Sequence, residues 1–422
     1  MTPSSRPVRR SLPWLLAGLS MIGPFSIDAV FPAFPLIGGD FGVGSAELQQ
    51  LISVYLLTYA AMSLFHGAIS DAIGRKPVIV AGILVYALAS AGAALAPSYS
   101  MLLACRALQG ACAGAGLVVG RAIVRDSLEG AAAQQLMSRV MMIFGIAPAI
   151  APMVGAQLLS LDGWHGIFWV LMGFTLLLGL ALIQFLDETH PPAHRSAFAP
   201  GALLAGYLGF GRDRPFWPLL ISCSVNFAGL FLYISSAPRI VRELLHLSKQ
   251  GFPWLFLPVV IGLISGAWLS GRLATRRSVA FTVNLGYASM LSACALHLLL
   301  AIVLPQPVLP WSMLPLVLHG VGVQLAFPTL TLLLLDRFPH HRGGASSVQA
   351  FSSLMLCSVV AGVLSPLLSD RMLFLALGAS TLTVIGWLAW RWYQRMTPRL
   401  LQSERAVPGV EEDFETELAE PR

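Results

Sequence analysis

The stretch Gly67-Ala-Ile-Ser-Asp71-Ala-Ile-Gly74-Arg75-Lys76-Pro77 joins two apolar runs, at 47–69 and 77–96. Each run has the length of about 20 residues that a helix needs to cross ~30 Å of hydrocarbon. Buried strands are shorter, at about 4 to 8 residues. The stretch therefore predicts a hairpin of two membrane-spanning helices with a short basic loop.

The composition extends this prediction to the whole chain. Of its 422 residues, 56% are hydrophobic and 11% are charged, and the mean hydropathy is +0.75. So few polar side chains cannot cover a soluble body of this size, and we expect an all-α membrane protein of the lipid bilayer. The predicted spans are 13–36, 47–69, 77–96, 101–124, 137–160, 166–187, 216–238, 252–272, 280–303, 312–335, 345–367 and 372–393.

The twelve predicted transmembrane helices fall into two pseudo-symmetric halves of six around a more polar stretch. The predicted domains are a cytoplasmic N-terminus (1–12), an N-terminal half (13–187), a cytoplasmic linker (188–215), a C-terminal half (216–393) and a cytoplasmic tail (394–422). The tail is acidic and has little to bury, so we predict that it is disordered.

The orientation follows from the distribution of basic residues, because Lys and Arg concentrate in cytoplasmic loops. With the N-terminus inside, 21 Lys and Arg residues fall on the cytoplasmic side and 4 on the other side, while Arg106 lies within a span. This asymmetry predicts a multi-pass protein of the bacterial inner membrane with both termini in the cytoplasm. The net charge of +6 then reflects topology, and no nucleic-acid partner is expected.

Other classes of function find little support. The apolar character of the first span continues through Pro24 to Ile37 without a small-residue cleavage site, which favours a retained helix over a signal peptide. The five cysteines all fall within spans at no metal-ligand spacing. There is no phosphate-binding G-x-x-x-x-G-K-[ST] loop, so ATP is not implied. We expect no metal, no cofactor and no enzyme activity.

The loop from Gly67 to Pro77 resembles the signature loop of the major facilitator superfamily, G-x-x-x-D-[RK]-x-G-R-[RK], which joins the second and third helices. It departs from the pattern at Ala72, where a basic residue is usual. Gly74 permits a tight turn, and Asp71 can cap or attract a helix N-terminus. Taken alone, an ordinary basic loop explains the stretch equally well.

The fourth span contains Leu103-Ala-Cys-Arg106-Ala-Leu-Gln109-Gly110, similar to a second motif of that superfamily. An arginine inside a membrane is costly, and the alternative is that Arg106 extends to the lipid interface. Asp126 lies twenty residues further on, about 30 Å along a helix. The resemblance implies that Asp126 joins Gly67, Asp71, Gly74 and Arg75 in a charge cluster that stabilises one conformation.

The fifth span contains Pro148-Ala-Ile-Ala151-Pro152-Met-Val-Gly155, which resembles the superfamily motif associated with antiport. Small residues four apart allow another helix to approach closely, and the two prolines remove backbone donors. Alanines at 147 and 151 replace glycines of the motif. A packing face without a role in gating remains the alternative.

The first span contains a single carboxylate, Asp28, in Ile27-Asp28-Ala-Val-Phe-Pro32-Ala-Phe-Pro35. A carboxylate without a partner in that position favours its protonated form, which makes Asp28 the candidate proton carrier. In this fold Asp28 and Arg106 belong to neighbouring spans beside the central cavity. The alternative is an ion pair between them with a purely structural role.

Together these stretches narrow the resemblance to the Bcr/CflA branch of bacterial drug:proton antiporters. Further matching stretches are Gly120-Arg-Ala-Ile-Val-Arg125-Asp126, residues 227–238, Phe327-Pro328 and 342–346. The likeness runs from about residue 13 to 393. It departs at Ile27 and Val30, where the branch has Thr and Tyr, and the loss of these polar groups leaves the substrate open.

The resemblance implies a secondary active transporter that exports small amphiphilic molecules or drugs in exchange for protons, by alternating access. We expect a monomer. The predicted substrate contacts are Gln109, Asn226, Tyr233 and Gln324, each of which could instead form a hydrogen bond between helices. Export of an endogenous metabolite or siderophore is an alternative. A membrane enzyme is a distant one, because no polar reaction centre is evident.

Overall fold

A computed structural model describes residues 11–128, 136, 140, 147–148, 150–160, 162–195, 198–248, 250–273, 276–304, 306–338 and 341–397. Within these ranges the chain is helical and contains no strand. Eleven of the helices are long and apolar enough to cross a membrane. The predicted all-α fold is confirmed in this part of the chain.

The first set of helices precedes the linker. Its members are α1 (Leu12–Asp28), α2 (Phe34–Phe41), α3 (Ser45–Ile73), α4 (Arg75–Ala94), α5 (Tyr99–Ser127), α6 (Ile150–Ser160) and α7 (His165–Phe185). Helix α5 packs along α3 and α4, and α7 packs along α4. Residues 137–139, 141–146 and 149 of the predicted fifth span, 137–160, lie outside the described residues, and α6 is the described end of that span.

The second set follows a short helix, α8 (Pro200–Phe210). Its members are α9 (Phe216–Asn226), α10 (Ala228–Ser235), α11 (Pro253–Leu273), α12 (Val279–Val303), α13 (Pro315–Asp336), α14 (Arg342–Val359) and α15 (Met372–Met396). Helices α9 and α10 belong to one span, Phe216–Leu244, and α14 belongs to the span Arg342–Leu368. The span at Phe216 is longer than predicted, because a π-helical turn at Ile240–Leu244 continues it.

Alternation of the spans gives the bundle two ends. We call the end with the loop between Ile73 and Arg75 the basic end, and the opposite end, where α3 begins at Ser45, the far end. The first span is broken near Asp28, where α1 ends, and a 3-10 turn at Phe31–Ala33 leads into α2. Pro32 and Pro35 explain this break, since a proline lacks the backbone donor that continues a helix.

The two sets contact each other through α3 and α14. Ser53 Oγ lies 3.1 Å from Ser358 Oγ, and Gln49 Nε2 donates to the carbonyl of Ser235 at 2.7 Å. Gln49 is in the first turns of α3, so these bonds lie in the far-end half of the bundle. The phenyl rings of Phe31 and Phe256 add an apolar contact between the sets, with centroids 6.5 Å apart.

The linker between the two sets contains a helix that the sequence analysis did not predict. It contains α8, whose Tyr207 hydroxyl donates to the carbonyl of Leu64 in α3 at 2.6 Å. The ring of Phe210 packs on Phe338 with centroids 4.7 Å apart. The linker therefore includes an apolar helix, α8, that contacts both sets at the basic end. Asp213 pairs with Arg337 next to it, and this hydrogen bond raises the pKa of the Arg337 guanidinium.

The last described helix extends into the predicted C-terminal tail. Helix α15 ends at Met396, so the first residues of the predicted tail, from 394, are helical. The remainder of the acidic tail, at 398–422, and residues 1–10 lie outside the described residues.

Candidate functional site

Asp28 is the last residue of α1 and is buried, with 3% of its surface exposed. Its carboxylate has no hydrogen bond or ion pair to any residue in the described ranges. The carboxylate lies at the C-terminal end of a helix, where the helix dipole offers no stabilisation to a negative charge. The break in the first span thus places an acid in the protein interior, and no described cation pairs with it.

Arg106 in α5 is fully buried, which excludes the alternative that it extends to the lipid interface. Its Nε donates to the carbonyl of Leu51 at 3.1 Å, and its Nη1 donates to Ser26 Oγ and Gln109 Oε1, each at 2.8 Å. The guanidinium also lies 4.5 Å from the ring centroid of Tyr55, a cation–π contact. Its Nη2 has no partner among the described residues.

Asp28 and Arg106 do not form an ion pair in the described structure, so the structural ion pair that the sequence left open is absent here. Arg106 instead reaches Ser26, two residues before Asp28 on the same helix. Neutral acceptors on α1, α3 and α5 hold the cation. Sequence reasoning missed Ser26 and Tyr55; their only signal was a polar side chain within a predicted span.

Gln109 belongs to this network. Its Oε1 accepts from Arg106, and its Nε2 donates to Ser90 Oγ at 2.8 Å. Both ends of the amide are therefore occupied inside the first set, and the side chain is fully buried. A hydrogen bond between helices, the alternative to substrate contact, describes Gln109 in this structure.

The predicted charge cluster assembles at the basic end. Arg75 pairs with Asp71, and its Nε donates to Asp126 Oδ2 at 3.0 Å. Ser70 Oγ accepts from Arg75 Nη1 at 2.7 Å. Gly74 has a φ of 109°, a conformation that residues with a Cβ rarely adopt, which explains the glycine in this turn. Gly67 lies one turn before Asp71 on α3.

Glu188, rather than Asp71, caps the N-terminus of α4. Its carboxylate accepts from the backbone N–H groups of Arg75 at 3.0 Å and Lys76 at 3.2 Å. Asp71 is engaged by the Arg75 side chain instead. Sequence reasoning missed Glu188 because its partner is 113 residues away in the chain. Its only signal was a carboxylate directly after the sixth span.

The small residues of the fifth span pack against α1 beside Asp28. A Cβ on Gly155 would collide with the carbonyl of Ala29, the residue next to Asp28. Ala147 and Ala151 are buried, as is Pro152, while Pro148 is half-buried. This close approach of backbones requires glycine at 155 and brings the antiport-like motif to the acid.

The remaining predicted substrate contacts lie in the second set. Asn226 Nδ2 lies 3.9 Å from Met290 Sδ, and the ring of Tyr233 stacks on His297 with centroids 4.8 Å apart. Both side chains are buried, whereas Gln324 is half-buried. The structure does not bring these three and Gln109 into one described cavity, and their contact with substrate stays a prediction.

Within the described residues there is no group of three or more His, Cys, Asp or Glu side chains that could hold a metal ion. The five cysteines are free thiols. In the first set, the charged groups that the sequence singled out are thus the acid Asp28, the buried Arg106 and the charge cluster of Asp71, Arg75 and Asp126.

Comparison with known proteins gives consistent matches over most of the chain. The model of the Major Facilitator Superfamily matches residues 16–355. The uncharacterized MFS-type transporter YdgK of Bacillus subtilis (strain 168) is 30% identical over 361 residues, covering 83% of this chain and 88% of that protein. Multidrug resistance protein D of Escherichia coli (strain K12) is 27% identical over 337 residues, covering 79% and 83%.

A solved structure shares the fold. It is a bacterial homolog of the human lysosomal transporter Spinster, in an inward-facing and unoccupied conformation. The TM-score is 0.67 at 18% identity, and the match covers 96% of this chain and 100% of that chain. At this identity the likeness concerns the arrangement of the helices.

Proposed function

Because this chain belongs to the Major Facilitator Superfamily, we propose that it exports small amphiphilic molecules or drugs in exchange for protons, by alternating access between its two sets of helices. The predicted family and fold class are confirmed, and the protein is a multi-pass membrane protein with the fold of transporters. The similarity to Multidrug resistance protein D supports the drug-antiporter branch.

The observation that supports proton coupling is the buried carboxylate of Asp28, which has no partner among the described residues. An isolated carboxylate in a low-dielectric interior is stable only when protonated. Opening of the site to water would allow it to ionise, and a cationic or polar substrate would then replace the proton. Binding of proton and substrate would alternate at one place, which is the requirement of an antiporter.

Arg106 would hold α1, α3 and α5 together next to Asp28. Its bonds to Ser26 and Leu51 connect α1 and α3 through α5, so a movement of α1 during the cycle must rearrange the guanidinium. The close contact of Gly155 with Ala29 connects the same part of α1 to α6. A change of protonation at Asp28 would thereby be transmitted to three neighbouring helices.

We further propose that the basic end faces the cytoplasm of a bacterial inner membrane, with both termini inside. The excess of Lys and Arg at that end supports this orientation. The bonds of Gln49 and Ser53 across the sets then close the outward side, and the charge cluster of Asp71, Arg75 and Asp126 lies on the inward side. The opposite state requires both groups of contacts to change.

Transport by inverted membrane vesicles with an imposed pH gradient tests this proposal. An efflux screen of amphenicols, dyes, sulfonamides and host metabolites in a pump-deficient strain first supplies a transported compound. We expect the gradient to drive its uptake into inverted vesicles, and Asp28→Asn to abolish that dependence. A metabolite as the transported compound would favour the alternative of endogenous export.

Asp40→Asn is the matched control, because Asp40 lies in the same span and accepts a hydrogen bond from Trp164 Nε1 at 2.6 Å, which an amide oxygen also accepts. If Asp28→Asn transports with undiminished coupling, Asp28 is not the carrier. A wild-type protein whose transport ignores the gradient would be a facilitator.

A further inference from the structure

A second polar cluster lies inside the second set of helices, apart from Asp28 and Arg106. We call it the imidazole cluster, and its members are Tyr233, Cys294, His297, His319 and Thr383. His319 is 0% exposed and His297 is 3% exposed. Two imidazoles within the apolar core of a bundle are unusual, because buried polar groups need partners.

Contacts between helices bring the members together. The rings of Tyr233 and His297 are stacked, with centroids 4.8 Å apart and an angle of 27°. A Cβ placed on Gly229 would lie 3.3 Å from His319 Cε1 and 3.1 Å from Thr383 Oγ1, so both side chains border the same glycine. Gly229 and Tyr233 are four residues apart on α10, so His319 and His297 border neighbouring turns of the same helix.

The cluster has more hydrogen-bonding groups than partners. His297 Nε2 lies 3.0 Å from the carbonyl of Ser312, so this nitrogen carries the hydrogen and Nδ1 is an acceptor. His297 Nδ1, both ring nitrogens of His319 and the hydroxyl of Tyr233 are buried and lack a partner among the described residues. Four such atoms in one place indicate a small ligand that donates and accepts hydrogen bonds.

We propose that His319 and His297 form a second proton-binding site, bridged by water. Imidazole is the side chain that normally changes charge between about pH 5 and 8. A neutral His319 ring accepts the proton at its free nitrogen and becomes an imidazolium. It then donates, through water, to Nδ1 of His297. The ring of Tyr233 is stacked on His297, so a proton shared with His297 would lie against an aromatic face.

The side chains around the imidazole cluster determine whether it can hold a positive charge. Helix α10 contributes Tyr233, and α12 contributes Cys294 and His297. The other titratable or charged side chains on the described helices packed around it are Cys223, Arg272, Tyr287, Asp336, Arg342, Cys357, Arg391, Tyr393 and Arg395. The charged ones lie at the basic end. On the described helices no carboxylate lies beside the imidazoles, so burial opposes a positive charge on either ring. The proton is therefore taken up when water reaches the cluster.

The imidazole cluster lies nearer to the far end of the bundle than to the basic end. His297 lies six residues before the end of α12 at Val303, about 9 Å along the helix. A cavity of about 370 Å³ at the far end is lined by Ala301, one turn beyond His297, and by Glu243 and Asp370. Glu243 and Asp370 both pair with Arg239, and Arg371 also lines the cavity, so the carboxylates there are compensated and the cavity offers polar groups to water.

The role of this site in transport rests on the proposed function, in which protons drive export. Proton binding by the two histidines is tested separately, without a transport measurement. The full chain, labelled with ¹⁵N-histidine and placed in lipid nanodiscs, is titrated from about pH 5 to 8, and the ring nitrogens are observed by NMR. We expect signals that are lost in His319→Gln to change from neutral imidazole to imidazolium. In His297→Gln the titration of His319 should shift, because its acceptor is gone.

His66→Gln is the matched control, since His66 is a buried imidazole of α3 in the first set. It should leave the titration of His319 unchanged. If His319→Gln does not fold, Tyr233→Phe is used instead, because it removes only the unpartnered hydroxyl. The histidine signals that shift in this variant are those of the imidazole cluster. The proposal is overturned if both rings stay neutral over this range. If transport does not respond to the pH gradient, the proposed antiport is wrong. The titration of His319 and His297 still decides whether the imidazole cluster binds a proton.

Discussion

Arg106 Nη1 lies 2.8 Å from Ser26 Oγ, two residues before Asp28. The buried cation is thus connected to the helix of the buried acid through a hydroxyl, and not through the acid itself. A direct ion pair would fix the ionised form of Asp28. The indirect connection leaves the carboxylate available to a proton while holding its helix in place.

We predict that Arg106→Lys impairs transport at least about tenfold. A lysine ammonium is a compact point charge and does not reproduce the planar fork that reaches Leu51 and Ser26 together. Loss of one hydrogen bond to a charged group costs about 1.5–3 kcal/mol, and about 1.4 kcal/mol corresponds to a factor of ten. The rate is measured in inverted vesicles and normalised to the amount of protein in the membrane.

Arg272→Lys serves as the comparison, because Arg272 also lies over an aromatic ring, that of Trp268, but at the basic end of α11. It should transport at the wild-type rate. Equal rates for Arg106→Lys and the wild type would show that the fork geometry is unimportant.

In the charge cluster at the basic end, loss of Asp126 should impair transport more than loss of Asp71. The Asp126 side chain is 23% exposed and that of Asp71 is 45% exposed, while both pair with Arg75. Ion pairs near a surface contribute about 0.2–1 kcal/mol, so we expect Asp126→Asn to reduce transport by up to about fivefold and Asp71→Asn by less. Spin-label distances across the basic end should broaden in the same order.

Asp336→Asn is the control for a lost surface charge, since Asp336 pairs with Arg342 and both are exposed. It should change neither rate nor distances. An effect of Asp71→Asn that exceeds that of Asp126→Asn contradicts the ranking by burial.

Gly155→Ala should destabilise the protein. Its new Cβ would meet the carbonyl of Ala29, and α1 and α6 must separate to make room. Overpacking of this kind costs about 1–3 kcal/mol. Thermal unfolding in detergent measures the effect, and Gly173→Ala provides the control, because nothing lies within 4 Å of a Cβ at 173. Equal midpoints for the two variants would refute the close approach.

Gln49→Ala should favour the state that is open at the far end. The variant loses the buried 2.7 Å bond to the Ser235 carbonyl, which is worth about 1 kcal/mol, or roughly a fivefold change in population. Labelling of single cysteines introduced along the far-end half of α14 measures the opening. Gln50→Ala loses a longer, 3.3 Å bond to Gly362 and should have a smaller effect. Unchanged labelling in both variants would contradict a closing role.

Much of the site could be placed on helices before the structure was known. The resemblance to the superfamily motifs predicted a cluster of Asp71, Arg75 and Asp126 at one end, and these side chains do meet there. Single residues such as Asp28 and Arg106 were conspicuous because charge is rare within spans. Their partners were not predictable, because Ser26 and Leu51 are ordinary residues of other helices.

Sequence alone determined the number and course of most spans, the basic end and the family, because run length, charge asymmetry and loop motifs are local properties of the chain. The tertiary structure decided which atoms meet. It placed Ser26 instead of Asp28 against Arg106, Glu188 instead of Asp71 at the start of α4, and His297 beside Tyr233. Such contacts depend on the rotation and approach of helices far apart in sequence, which the packing of small residues such as Gly155 controls.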